Sequence, residues 1–160
     1  MADIITLDAA RQHLRLEDDY PPEQLQVYVA AAWRSAERFL NRRIYATPED
    51  HTAAILKVPA ALAAAIGARD AALRAADLEV DAESQRDARE YAEQVLKEAR
   101  SAAAEIRRGI VADYDVVAAI LLILGHLFAN REENVTGTTV DELKMGARSL
   151  LAPYRIGLGV

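Results

Sequence analysis

Nine consecutive apolar residues, VVAAILLIL at 116–124, limit what this chain can become more than any other feature. Gly125 and His126 interrupt the run, Leu127, Phe128 and Ala129 resume it, and Asn130, Arg131 and Glu132 end it in polar side chains. A membrane-spanning helix needs about 17–25 apolar residues. The run is too short and too interrupted for that, so it reads as a helix buried in a folded core. Asp113 stands where an N-cap would accept the first free N–H groups of that helix. A VTGTT break at 135–139 follows, and DELKMGARSLLAPYR at 141–155 then reads as a short amphipathic helix. Pro153 stops it, because proline brings no N–H to the helical ladder.

The N-terminal part obeys the same period. Thr6 is placed as an N-cap, with Asp8 near the positive end of the helix dipole and Leu7, Ala10 and Leu14 on one buried side. The acidic stretch and proline pair EDDYPP at 17–22 end this first helix, and Pro22 fits the first turn of the next, where its missing N–H costs nothing. Leu25, Tyr28, Val29, Ala32, Ala36, Phe39 and Leu40 recur at three- and four-residue steps, which predicts an amphipathic second helix that Asn41 stops. Residues 42–50 read as a loop with a brief extended piece at 43–45.

The middle differs in kind. Residues 59–77 contain ten alanines in nineteen positions, with Leu62, Ile66 and Leu73 on one side. Residues 82–108 form a second helical stretch, in which Ala88, Tyr91, Ala92, Val95, Ala99, Ala102 and Ile106 make a heptad-like stripe closed by Gly109. Arg86–Glu90, Arg89–Glu93 and Glu93–Lys97 are spaced for i,i+4 ion pairs, each contributing about 0.2–0.5 kcal/mol. Two such helices with a short connection make an antiparallel hairpin, and alanine faces let them approach closely.

The predicted fold class is therefore all-α: a small helical bundle core with an inserted long antiparallel helical hairpin. At 160 residues the size prior gives a single domain, 1–160, with the insertion at about 46–110. Trp33, Phe39, Leu121, Leu124, Phe128 and Leu150 are the expected core. Strand signals are confined to residues 4–5, 43–45 and 135–139. The net charge of −6 disfavours a broad nucleic-acid-binding face. The absence of cysteine removes disulfide and thiol chemistry, and the opening MADIITLDAARQHL meets charge too early for a signal peptide.

No catalytic pattern accompanies these elements. His13, His51 and His126 are scattered, and His126 is expected to be a core-edge histidine satisfied by backbone or by Asn130 one turn on. A carboxylate di-metal bundle needs Glu-x-x-His on facing helices, and the chain contains none. Ser35, Ser84, Ser101 and Ser149 lack nucleophile contexts, and no glycine-rich phosphate loop is present. The Arg42–Arg43 pair could touch phosphate, but an ordinary solvated loop is the stronger expectation. The expectation is a non-enzyme with no catalytic residues, no cofactor and no metal.

Four segments in order carry a resemblance. They are ITLDAARQHLRLE (5–17), LQVYVAAAWRSAERFLNRRI (25–44), VVAAILLILGHLFANRE (116–132) and ELKMGARSLLAPYR (142–155). Together they resemble the head–tail connector (adaptor) proteins of long-tailed double-stranded DNA phages. The departure is the stretch from about residue 46 to 108, where that family has a much shorter connection.

The resemblance implies a structural virion protein. It would form a dodecameric ring of itself below the portal protein, extend the DNA channel, and offer a docking platform to a stopper or tail-completion protein. It also implies synthesis in the bacterial host cytoplasm, residence in the neck between capsid and tail, DNA passing without sequence-specific binding, and no membrane partner. An acidic protein suits a channel that must not grip phosphates. The expected portal contact is the closing segment Pro153, Tyr154, Arg155, Ile156, Gly157, Leu158, Gly159 and Val160, with the tail from Arg155 gaining order only on docking. The alternative reading is a monomeric or dimeric helical-bundle module that binds a cellular protein by helix-in-groove contacts.

Overall fold

Side-chain caps start three of the helices in the computed structural model, which describes residues 4–17, 19–130 and 145–157. The chain divides into two compact units, residues 1–48 with 110–160, and residues 49–109. The fold is all-α, a helical bundle with an inserted antiparallel hairpin.

In the first unit, helix α1 (Leu7–Leu14) starts at Thr6, whose hydroxyl accepts the Ala9 N–H at 3.1 Å, and ends at Arg15 in the left-handed region. Helix α2 (Pro22–Leu40) has proline in its first turn and ends at Asn41, again left-handed. Strand β1 (Ile44–Tyr45) pairs in parallel with strand β2 (Ile110–Val111), Ile44 opposite Ile110. The Ile110 N–H donates to the Arg43 carbonyl at 2.9 Å, and the Ala112 N–H donates to Tyr45 at 2.8 Å. Helix α5 (Tyr114–Ala129) is capped by Asp113, which accepts the Val116 N–H at 3.0 Å. Helix α6 (Met145–Leu151) passes into a 3₁₀ turn, Ala152–Tyr154. Helix α5 packs against α2 and α6, while α1 lies on both α2 and α5.

Two local expectations change. Residues 4–5 are a bend rather than a strand, with Ile5 buried. The closing helix is described from Met145 and ends at Leu151, two residues before Pro153, because the chain tightens into the 3₁₀ turn first. The expected extended segment at 135–139 lies outside the described residues.

Small side chains decide the core. Leu25, Leu40, Val116, Ile120, Leu124 and Leu151 are fully buried, and Ala32, Ala36 and Ala119 are inaccessible beside them. Of the six expected core residues only Leu124 is fully buried. Trp33, Phe39, Leu121 and Leu150 are half-buried against the cluster, and Phe128 sits at the edge between the rings of Tyr20 and Tyr28, 5.7 and 5.6 Å away. Alanines at the helix crossings draw the backbones together, so leucine and valine fill the interior and the wide rings move to its rim.

The second unit is a helical hairpin. Helix α3 (Pro48–Ala76) begins eleven residues before the expected start at Pro59, and absorbs the last third of the expected loop. Pro48 and the acidic Glu49 and Asp50 suit a helix N-terminus, while Pro59 is carried inside the helix. Helix α4 (Ala82–Arg107) is capped by Asp81, which accepts the Ser84 N–H at 2.8 Å. On α3 the covered positions include His51, Ala54, Val58, Leu62, Ala65, Arg69, Ala72 and Ala76. On α4, Ala92, Leu96 and Ala103 are buried while Tyr91 points outward, 71% exposed. Of the expected stripe Ala88, Ala92, Val95, Ala99 and Ile106 are covered, while Tyr91 and Ala102 are exposed and Leu96 joins the buried side. An open apolar groove of about 180 Å³ runs along the hairpin past Ala54, Val58, Leu62, Ala99, Ala103 and Ile106.

Ion pairs also re-sort. Arg86–Glu90 forms at 3.1 Å, but Arg89 reaches across to Asp77 at 2.6 Å and Glu93 faces Arg69 at 3.8 Å. Cross-hairpin partners replace two of the three intrahelical pairs.

Candidate functional site

The closing segment is built onto the C-terminal end of α2. Leu151 is fully buried and anchors the turn. Pro153 is exposed in the 3₁₀ turn, and Tyr154 is half-buried against the core. The Tyr154 hydroxyl donates to the Asp113 carboxylate, with Asp115 a second acceptor at 3.5 Å. Asp113 therefore does two jobs, capping α5 and holding the closing turn.

Beyond the turn the backbone follows the end of α2. The Arg42 guanidinium donates to the Tyr154 carbonyl at 3.2 Å, and the Ile156 N–H donates to the Leu40 carbonyl at 3.2 Å. The Asn41 side chain reaches the Ile156 carbonyl at 3.5 Å. Arg155 lies over the Phe39 ring, 4.9 Å from its centre, a cation–π contact. Gly157 is left-handed at φ 68°, and a Cβ there would meet the Asn41 amide nitrogen at 2.7 Å. The expectation that this tail gains order only on docking is corrected for Arg155, Ile156 and Gly157, which are tied down within the chain. Leu158, Gly159 and Val160 lie outside the described residues.

Charge reinforces the clasp. The hydrogen bond to Asp113, then burial and the nearby carboxylates, push the Tyr154 phenol up to about 12. For Asp113, burial alone would raise the carboxyl. The Tyr154 hydroxyl and the backbone N–H groups of Val116 and Asp115 outweigh it and hold the group below its ordinary value. A raised phenol stabilises the folded form fully below its unfolded value near 10, and that contribution is lost as pH rises through about 12. The lowered carboxyl contributes above its unfolded value near 3.8 and is lost as pH falls through the depressed one. Between these limits the clasp does not depend on pH. Asp113→Ala is expected to return the Tyr154 titration toward 10, read by ultraviolet absorbance as the difference from Tyr154→Phe; an unchanged titration would dissociate the two groups.

Glu37 is a residue the sequence did not single out. It is the buried charged side chain of α2, 9% exposed, and accepts from Arg34 at 2.9 Å, Arg43 at 3.4 Å and the Ile44 N–H at 3.1 Å. It thereby fixes the exit of the chain into β1. The Arg42–Arg43 pair is more than a solvated loop, since Arg42 holds the closing segment and Arg43 holds Glu37. The only advance signal was charge spacing, with Arg34 three residues before Glu37.

The remaining candidates stay apart. His126 shares its Nδ1 with the Asn130 amide at 2.8 Å, as expected, and His51 Nε2 contacts the Ile106 carbonyl at 2.9 Å. Among the described residues no group of three or more His, Cys, Asp or Glu is placed to hold a metal ion. The closing turn presents Pro153, Arg155 and Gly157 to solvent. Comparisons with family models, curated proteins and solved structures find no match for this chain. Any functional reading therefore rests on the residues themselves.

Proposed function

We propose that this chain is a structural head–tail connector of a long-tailed phage. In this reading it acts by assembly and not by catalysis, as a ring below the portal that continues the DNA channel and receives a stopper or tail-completion protein. One observation carries the reading. The four segments that resemble the connector family are the ones that build α1, α2, α5 and α6, the helices around the core of the first unit. The dissimilar stretch is the separate hairpin.

Surface chemistry supports it. Val27, Tyr114 and Leu122 leave 67%, 94% and 47% of their surface exposed on the first unit, and exposed apolar side chains suit burial in a head-to-tail contact of a closed ring. The net charge of −6 is compatible with a channel that does not grip phosphate. The closing segment, held rigid by Asp113, Arg42 and Asn41, is the portal-binding element.

Truncation after Tyr154 removes Arg155 and everything beyond while keeping the Tyr154–Asp113 bond. It is expected to abolish co-purification with a portal ring and to leave circular dichroism unchanged. Retained binding would remove the closing segment from the portal interface. Negative-stain images of the portal complex without a ring of this chain would remove the connector reading itself.

A further inference from the structure

Helix α3 is apolar all round, yet only one side of it is covered. Its most apolar 18-residue window has a mean hydropathy of 1.4 and is 6% buried, long and apolar enough by composition to cross a membrane. Between Asp50 and Arg69 the only Lys, Arg, Asp or Glu is Lys57. A helix without a polar face belongs inside something. The side turned away from α4 carries a second heptad series: Glu49, Ala53, Leu56, Ala60, Ala63, Gly67, Asp70 and Arg74. All but Asp70 are exposed, Leu56 by 74%.

We propose that this seam binds the same seam of a second copy of the chain, antiparallel and about a two-fold axis. The series is complementary to itself when reversed. Centred between Ala61 and Leu62, it sets Glu49 against Arg74 of the other copy, Ala53 against Asp70, Leu56 against Gly67, and Ala60 against Ala63, each pair occurring twice. Antiparallel heptads pair in this way, and a two-fold contact closes on itself.

Two observations favour this occupant. Gly67 is unexplained in the single chain: glycine within a helix costs about 0.5–1 kcal/mol relative to alanine, and a Cβ there would meet nothing within 4 Å. Opposite a leucine, the missing side chain is the space that Leu56 fills. Glu49 and Arg74, at the two ends of the seam, meet opposite charge only in the antiparallel register. Helix α4 of another copy is a poorer cover, since its outer side carries Glu90, Lys97, Glu98 and Arg100, whose burial would be costly. A lipid surface would leave Glu49 and Arg74 unpaired. The helix is about 44 Å long at 1.5 Å per residue, so the contact is narrow and belongs to the weak, small class of interfaces. It does not depend on the ring, which uses head-to-tail contacts.

The test is sedimentation equilibrium of the full chain over an approximately hundredfold range of concentration, in which the dimer fraction should rise by mass action. Ala60→Glu sets like charges across the axis and should weaken the dimer about tenfold or more. Glu49→Arg should weaken it, and adding Arg74→Glu to that variant should restore it. The chain has no cysteine, so Ala60→Cys mixed with Ala63→Cys should oxidise to a crossed dimer faster than either variant alone. A chain monomeric throughout, a dimer indifferent to Ala60→Glu, no preference in the cysteine mixture, or flotation with phosphatidylcholine vesicles would each overturn the pairing. Normal rings built from Ala60→Glu protein would leave the connector reading standing whatever the dimer does.

Discussion

Leu124→Ala is expected to cost about 3–5 kcal/mol of unfolding free energy, most of what a marginal domain possesses. Leu124 is fully buried on α5, within a cluster that takes Leu25, Leu40, Ile120 and Leu151 from helices meeting there. The same cluster includes Ala32, Ala36, Ala119 and Ala147, which have no side-chain freedom with which to fill a gap, so the cavity should persist. Phe128→Ala makes the useful contrast. That ring is larger but lies at the edge between Tyr20 and Tyr28, where water can take its place, and the loss should be smaller by about 1–2 kcal/mol. Denaturant unfolding followed by Trp33 fluorescence measures both. A Leu124 loss below that of Phe128 would show that the aromatic rim, and not the aliphatic interior, holds the bundle together.

That contrast also marks what the sequence could disclose. Helix limits set by a single capping residue were legible: Thr6, Asn41 and Asp113 each stand where the structure uses them. Features created by pairing distant segments were not. Strand β1 was visible as a short extended piece, but its partner at Ile110 and Val111 is two residues long and offers no periodicity to read. The α3 start was displaced because Pro59 resembles a helix entry as closely as Pro48 does, and only the covering of His51, Ala54 and Val58 distinguishes them. Size misled the core choice: a large ring suggests burial, whereas alanine at a helix crossing excludes it. Of the closing segment, the sequence signalled the end at Pro153 but not the clasp. Asp113 and Tyr154 are separated by 41 positions, and nothing in either stretch announces the other.

Replacing residues 49–109 by a linker of about six Gly and Ser residues should leave a cooperatively melting protein that has lost the helical signal of α3 and α4. The buried cluster of the bundle draws every member from residues 5–44 and 116–151, and the half-buried residues around it come from the same unit. None is supplied by the hairpin. The cut ends are close to one another because β1 and β2 pair in parallel, with Tyr45 opposite Val111 and strands about 4.8 Å apart. Six linker residues reach about 20 Å, enough to join residue 48 to residue 110 without pulling on either strand. Loop closure grows only slowly with length, so exchanging a long insertion for a short one should be mildly favourable. The Tyr154 titration near 12 should survive in the shortened chain, since Asp113, Asp115 and Tyr154 all remain. An aggregated or non-cooperative product would mean that the bundle borrows stability from the hairpin, and that its core is not self-sufficient.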